Sequence, residues 1–325
     1  MQAAWYVSNG EAQDVLMLGE LATPQPGPGE VRVRLSTSGV NPSDVKSRRS
    51  RPLEAAVVPH SDGAGVIDAV GSGVAEERIG QRVWVWNGQW QRAMGTACEQ
   101  IVLPEAQAVA LPDSCDFAAG ACLGIPALTA FHAVTLLGDL KGKTVLVIGA
   151  SSAVGHYAAQ MAGIAGATVI GTVGSPEKAQ HAHAAGVTAT IDYKAESVAG
   201  RIKQLTGGRG VDAIIDMDFS STIHLIADGA LAPHGTLVCY GSNVNGDIAV
   251  PFRPLLFSSV NVHFFLVYDL SASERSFAVA GVSRLLQENR LQHTIGARFP
   301  LAQIAAAHQA VEGGKVLGNV VLELL

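Results

Sequence analysis

Lys143-Thr144-Val145-Leu146-Val147-Ile148-Gly149-Ala150-Ser151-Ser152-Ala153-Val154-Gly155 settles what kind of sheet this chain can build. A continuous aliphatic and β-branched run stops at small residues, and the Ala-rich pattern His156-Tyr157-Ala158-Ala159-Gln160-Met161-Ala162 begins at once. A buried parallel strand feeding the first helix of a dinucleotide-binding unit has this form. The turn through Ser151, Ser152, Ala153 and Val154 carries mostly small side chains, so its backbone can approach a pyrophosphate. The N–H groups at the helix start can then take up the charge. Ala150 and Ser152 occupy glycine positions of a strict G-x-G-x-x-G; Gly155, where helix packs on strand, fits. A glycine-poor strand-to-helix turn without a ligand has the same local pattern, so the neighbouring chain has to decide.

Outward from this stretch, strands are expected at Thr144–Gly149, Thr168–Val173, Ala189–Tyr193, Val211–Met217 and Thr236–Gly241. Helices are expected between them, at Ala153–Ala165, Pro176–Ala185, Ser197–Leu205 and Ser220–Leu231. The alternation makes an α/β, doubly wound parallel sheet of Rossmann type, with ligands at the carboxyl ends of its strands. The second strand ends in Ile170-Gly171-Thr172-Val173-Gly174-Ser175-Pro176-Glu177-Lys178, without the acid that would bind ribose hydroxyls and repel a 2′-phosphate. Ser175 is a helix N-cap and Pro176 suits the first helical position, so Gly174, Ser175 and Lys178 present N–H groups, a hydroxyl and a cation to a phosphate. Glu177 opposes this in sign, although a first helical turn favours an acid anyway. NADPH is the cofactor expected; the plainer alternative is a capped surface helix with an exposed lysine.

Val31-Arg32-Val33-Arg34-Leu35-Ser36 alternates with period two after the turn-rich Pro24–Gly29 segment, and opens a mostly β region. Further strands are expected at Gly65–Val70, Arg82–Trp86 and Cys98–Leu103. The 325 residues suit two domains better than one core. A net charge of −6 argues against a nucleic-acid surface. Cys98, Cys115, Cys122 and Cys239 form no C-x-x-C pair, and the start Met1-Gln2-Ala3-Ala4-Trp5 has no signal-peptide pattern, so a reducing cytoplasmic setting is expected. The uncharged run Phe117–Gly138 holds Pro126, His132 and many small residues, and is read as buried helices rather than a membrane span.

The ordered segments Gly39-Val40-Asn41-Pro42-Ser43-Asp44, Ser61-Asp62-Gly63-Ala64-Gly65-Val66-Ile67, Gly80-Gln81-Arg82-Val83 and Leu123-Gly124-Ile125-Pro126-Ala127-Leu128-Thr129-Ala130-Phe131-His132-Ala133 precede the nucleotide turn. In that order and spacing the chain resembles the medium-chain dehydrogenase/reductase superfamily, nearest its zinc-free NADPH:quinone oxidoreductases, the ζ-crystallin-like group. The resemblance implies a GroES-like catalytic domain over residues 1–124, a cofactor domain over 125–268, and a return to the catalytic domain over 269–325. It puts the zinc-ligand positions of related dehydrogenases on Asn41, Ser61 and Ile125, none of them a thiolate or imidazole donor, so no metal is expected. His60, beside those positions, is expected to be structural or at the surface. The resemblance also sets Tyr193 beside the 2′-phosphate, and Gly241, Ser242, Asn243, Phe265, Leu266 and Val267 on the nicotinamide side. Asn319 and Lys315 follow near the cleft. The apolar run Val262–Tyr268 reads as a buried strand or, at a sheet edge, as the seam of a homodimer.

The resemblance further implies hydride transfer from NADPH to a quinone. Without a Lewis acid a quinone is the better acceptor, since its ring spreads the developing charge. Asn41 either contacts nicotinamide or acceptor, or is a turn residue before Pro42. Asp44 either shapes the same wall or caps the following helix. Trp86 and Trp90 could stack a flat acceptor, whereas Trp84 is read as core. The alternatives are a reductase of enones or enoyl thioesters, and an NADPH-binding crystallin-like protein without turnover. Two departures from the group put the pocket's shape in question: Asp216-Met217-Asp218-Phe219 where D-x-V-G is common, and no tyrosine among Val45-Lys46-Ser47-Arg48-Arg49.

Overall fold

Val145, Leu146 and Val147 form an unbroken aliphatic run, and all three are fully buried. Burying each side chain contributes about 1.5–3 kcal/mol, an upper bound because unfolded chains already hide part of their apolar surface. The computed structural model, which describes residues 1–324, makes this run (Thr144–Val147) a central strand of a six-stranded parallel sheet. Across that sheet the order is Ala189–Asp192, Thr168–Val173, Thr144–Val147, Val211–Asp216, Leu231–Cys239 and Asn261–Phe264. In chain order this is the 3-2-1-4-5-6 arrangement of a doubly wound dinucleotide fold. Register follows the apolar pattern: Leu146 pairs with Ile170 on one side and Ile214 on the other, all in one core cluster.

Two compact units emerge, residues 127–278, and residues 1–126 with 279–325. The second boundary falls inside the helix Ala272–Gln287, not at the loop before it. Within the nucleotide unit the expected helix Ser220–Leu231 is replaced by two short turns, Phe219–Thr222 and His224–Ala227, and Leu231 already belongs to the next strand. The reason is local: Gly229 takes a left-handed φ of 75°, which ends the helix early. The expected buried strand Val262–Tyr268 is also corrected. Only Asn261–Phe264 is strand, it is the sheet's outer edge, and Phe264 is 64% exposed. Val267 begins a 3-10 turn instead.

The other unit is built on a seven-stranded sheet around the long strand Glu30–Val40, which pairs antiparallel with Asp62–Val70, Gln100–Pro104 and Asn319–Glu323. Its alternation is the expected one, with Val31, Val33 and Leu35 fully buried. The last two strands, Ile295–Pro300 and Asn319–Glu323, and the helix Ile304–Glu312 complete this sheet's core from the far end of the chain. The uncharged run after Phe117 forms a helical turn, a short π turn over Leu123–Ala127 and the helix Leu128–Leu136. No helix among the described residues is long and apolar enough to cross a membrane.

Candidate active site

The nucleotide turn is shaped by close approach. A Cβ on Gly155 would sit 2.2 Å from the Gly149 carbonyl oxygen, so only glycine lets the helix Ala153–Ile164 start this near its strand. Ser152 is the N-cap, and its Oγ accepts the Gly155 N–H at 3.0 Å. Thr172, on the adjacent strand, fixes the turn by accepting the Gly149 N–H on Oγ1 at 2.8 Å and the Ala150 N–H on its carbonyl at 3.1 Å. Ser151 is buried beneath the turn, while Ala153 and Val154 contribute first-turn N–H groups, which an α-helix cannot satisfy internally.

A second glycine cradle follows the next strand. A Cβ on Gly174 would lie 2.9 Å from Tyr193 Oη and 3.2 Å from Lys194 Cε, so both side chains drape over a bare backbone. Lys194 Nζ stands 5.9 Å from the Tyr193 ring centroid, a cation–π distance. Beside them Ser175 caps the helix Pro176–Ala184 by accepting the Lys178 N–H at 3.2 Å. Glu177 is exposed and Lys178 half-buried. The structure thus brings Gly174, Ser175 and Tyr193 together and adds Lys194, which the sequence reading passed over although it directly follows Tyr193 at a strand end.

At the ends of the fourth and fifth strands a pocket of 480 Å³ opens, lined by Phe219, Tyr240, Gly241, Ser242, Phe265 and Leu266. The ring of His132, itself buried, meets Phe265 edge-on at 4.7 Å between centroids. Burial and the nearby Asp216 carboxylate push the Tyr240 hydroxyl up, and burial pushes the Cys239 thiol up to about 12. Gly241, Ser242, Phe265 and Leu266 therefore share one wall. Val267 is buried beyond it, its carbonyl accepting from the Arg275 guanidinium. Asn243 is exposed and held by Asp218, whose two carboxylate oxygens accept its backbone N–H and its side-chain amide, each at 2.9 Å. Asp218 is one of the residues by which the chain departs from its group.

In the other unit Asn41 precedes the helix Pro42–Ser50, and its backbone N–H donates to Asp44 Oδ2 at 2.7 Å. Of the two roles open to Asp44, this is the cap; burial pushes its carboxyl up to about 7. The Asn41 side-chain amide donates to Asp62 Oδ2 at 2.9 Å, and the same oxygen accepts the Ile125 N–H at 3.1 Å. Asn41 is 4% exposed, so its amide is held rather than free to swing. Ser61 is buried as well. His60 is fully buried and bonded to Ser38 and His308, a structural histidine and not a surface one. Trp84 is core, Trp86 and Trp90 are partly exposed, and the Arg51 guanidinium lies 5.1 Å over Trp90. Asn319, in this same unit, sends its backbone N–H and side-chain amide to the Thr294 carbonyl, at 2.9 and 3.0 Å, and so ties a strand end. Among the described residues no group of three or more His, Cys, Asp or Glu comes together as a metal-holding set.

Residues 153–283 match the zinc-binding dehydrogenase family, and residues 27–113 match the alcohol dehydrogenase GroES-like domain family. The chain is 33% identical to the quinone oxidoreductase of Pseudomonas aeruginosa, over 95% of each protein. It is 30% identical to a 2-haloacrylate reductase of a Burkholderia species, over 93% of each. A mycobacterial protein solved in complex with NADPH superposes with a TM-score of 0.87 at 30% identity, covering 100% of both chains. With the 3-2-1-4-5-6 sheet, the two glycine cradles and end-to-end likeness in hand, this chain belongs to the medium-chain dehydrogenase/reductase superfamily, in its quinone oxidoreductase group.

Proposed function

We propose that the chain is an NADPH-dependent, zinc-independent quinone reductase. The observation that carries the reading is the Gly174 cradle: a bare backbone flanked by Tyr193 and Lys194 and followed by Ser175, with Lys178 in the first turn of the next helix and no acid at the strand tip. A 2′-phosphate needs that donor set, and an acid there would repel it. NADPH, when bound, supplies the hydride. The protein's part is to hold the pyrophosphate over the Ser151–Gly155 turn, the 2′-phosphate at Gly174, and the nicotinamide end against the wall of Gly241, Ser242, Phe265 and Leu266. Asn41, Ser61 and Ile125 offer no thiolate or imidazole to a metal, so stabilisation of the reduced acceptor falls to hydrogen bonds and to the acceptor's own ring. Trp86 is a partly exposed aromatic suited to a planar acceptor, while the Arg51 guanidinium already lies over the Trp90 ring.

A second reading is favoured by the 2-haloacrylate reductase relative: reduction of an activated alkene, which needs hydride at one carbon and a proton at the next. Initial rates of NADPH oxidation with 1,4-benzoquinone and with a simple enone separate the two. The quinone should give the larger kcat/KM by at least about tenfold, roughly 1.4 kcal/mol of transition-state preference. Turnover of the enone alone would transfer the assignment to the second reading.

The protomers are proposed to pair through the sheet edge. Asn261–Phe264 hydrogen-bonds on one side only among the described residues, and the preceding helix Phe252–Phe257 exposes Phe252, Leu256 and Phe257. An apolar strand edge of this kind recruits another strand, and a second copy gives a closed twofold pair. Four buried cysteines, none in a disulfide, fit a cytoplasmic location.

A further inference from the structure

His60 has a left-handed φ of 75°, a conformation that favours glycine, and it is fully buried. A strained residue inside a core persists only where its surroundings over-determine it. Here the restraint is a chain of side chains from four parts of one unit. His308 Nε2 lies 2.9 Å from His60 Nε2, His60 Nδ1 lies 2.9 Å from Ser38 Oγ, and Ser38 Oγ lies 2.7 Å from Thr96 Oγ1. Thr96 Oγ1 in turn lies 2.5 Å from the Asp62 carbonyl oxygen. All of these side chains are fully buried.

Counting hydrogens gives the chain a direction. The Asp62 carbonyl has no hydrogen, so Thr96 spends its only one there. Ser38 must then donate to Thr96, which leaves His60 Nδ1–H as the donor to Ser38. Burial holds both imidazoles neutral: it drives His60 far down, and with the Arg48 charge nearby it brings His308 down to about 3. A neutral His60 with its hydrogen on Nδ1 has a bare Nε2, so His308 must carry its hydrogen on Nε2. One ring is therefore the Nδ1–H tautomer and the other the Nε2–H tautomer. The chain ends on the residue whose carboxylate takes the Asn41 amide and the Ile125 N–H.

We propose that His308 and His60 form a neutral, tautomer-locked pair that positions Asp62 and, through it, the Asn41 side chain. They are positioning residues and touch no reacting atom. A carbonyl terminus cannot pass a proton on, so the chain serves as a brace and not as a proton relay. The kinetic part rests on the reductase reading given above; the spectroscopic part does not.

In protein labelled with ¹⁵N in the histidine rings, the rings assigned to His60 and His308 should stay neutral from pH 8 to 5, one in each tautomer. Two Nε2–H rings, or a pair titrating near the ordinary value, would overturn the proposal. His308→Leu should shift the Asn41 side-chain amide resonances, and an unmoved amide counts against positioning whether or not the protein turns over. His308→Leu should also lower kcat with a quinone by roughly ten- to hundredfold, as expected when a held group drifts, with little change in KM for NADPH. His308→Gln keeps an N–H donor and should recover most of that loss. His60→Gly takes the same backbone without strain, removes the hydrogen bonds at the cost of a cavity and a lower Tm, and should match His308→Leu in kcat. A lower Tm with kcat unchanged in both variants would make the pair structural only. If wild-type protein reduces neither quinone nor enone, the reductase reading falls, and the ring and amide spectra alone decide the brace.

Discussion

At the residue scale, the phosphate site proposed at Gly174 can be tested atom by atom. Lys178→Ala should raise the KM for NADPH by about tenfold, the worth of a hydrogen bond to a charged group, and leave the KM for NADH nearly unchanged. Equal effects on both would remove Lys178 from the phosphate site. Gly174→Ala tests the cradle from the other side. The added methyl would lie 2.9 Å from Tyr193 Oη and 3.1 Å from Cε1, so the ring and Lys194 must move off. NADPH affinity, read by fluorescence titration, should fall at least as far as in Lys178→Ala, with Tm within a few degrees of wild type. Part of this was legible in the sequence: a missing acid, an N-cap serine and a lysine three residues on. Lys194 was not, because only the fold turns it back over Gly174.

At the element scale, the strand Asn261–Phe264 departs most from expectation. Its apolar residues suggested a buried strand, and the pattern is right for one. Burial on both faces requires packed layers above and below the strand, and at this outer edge of the sheet Phe264 stays 64% exposed. On the preceding helix, Phe252 and Phe257 are 68% and 75% exposed. If the proposed edge pairing holds, wild-type protein sediments as a dimer and replacing both by glutamate gives a monomer without loss of secondary structure; a wild-type monomer or a surviving dimer counts against it. The loop after Leu231–Cys239 shows the same dependence on partners. Asn243, expected on the nicotinamide side, gives its backbone N–H and its side-chain amide to Asp218, across from the end of another strand. No single-sequence pattern announces a contact between loops that follow different strands.

At the scale of the whole molecule, buried ionisable groups set the response to acid. In the unit that holds them, His60 and His308 titrate below their ordinary value, and burial lowers His293 as well. The unfolded chain protonates them near pH 6.5 while the folded one resists. Their stabilisation is present above that pH and is lost as pH falls towards about 3 for His308. Asp44 works the other way: its carboxyl, raised to about 7, favours the folded state below the ordinary carboxylate value, and that gain is lost as pH rises through 7. Arg48, ion-paired with Glu312, and Asp62, whose carbonyl takes the Thr96 hydroxyl, stand around the same cluster. Asp216 opposes the loss as well, its carboxyl raised to about 6, but more histidines than aspartates are shifted, so stability should fall between about pH 6.5 and 4. Thermal melts over that range should move steadily to lower temperature, and His308→Gln should flatten the slope. A Tm independent of pH down to 4 would mean that these rings already carry charge in the fold.

By itself the sequence determined the classes of element and their order. Period-two alternation at Val31–Ser36, the aliphatic run before Gly149 and the small residues of the turn are local signals, and local stereochemistry obeys them. Thr168–Val173 appears as a strand with the very bounds its pattern implies. It also excluded donors, since no arrangement turns Asn41, Ser61 and Ile125 into thiolates or imidazoles. Tertiary structure alone decided which side chains meet. His60 and His308 lie 248 positions apart in the chain and share a hydrogen bond, and Asn41 found its partner at Asp62 only once two strands had paired. Such contacts are set by how elements pack, and packing depends on all neighbours at once, which no stretch of sequence contains.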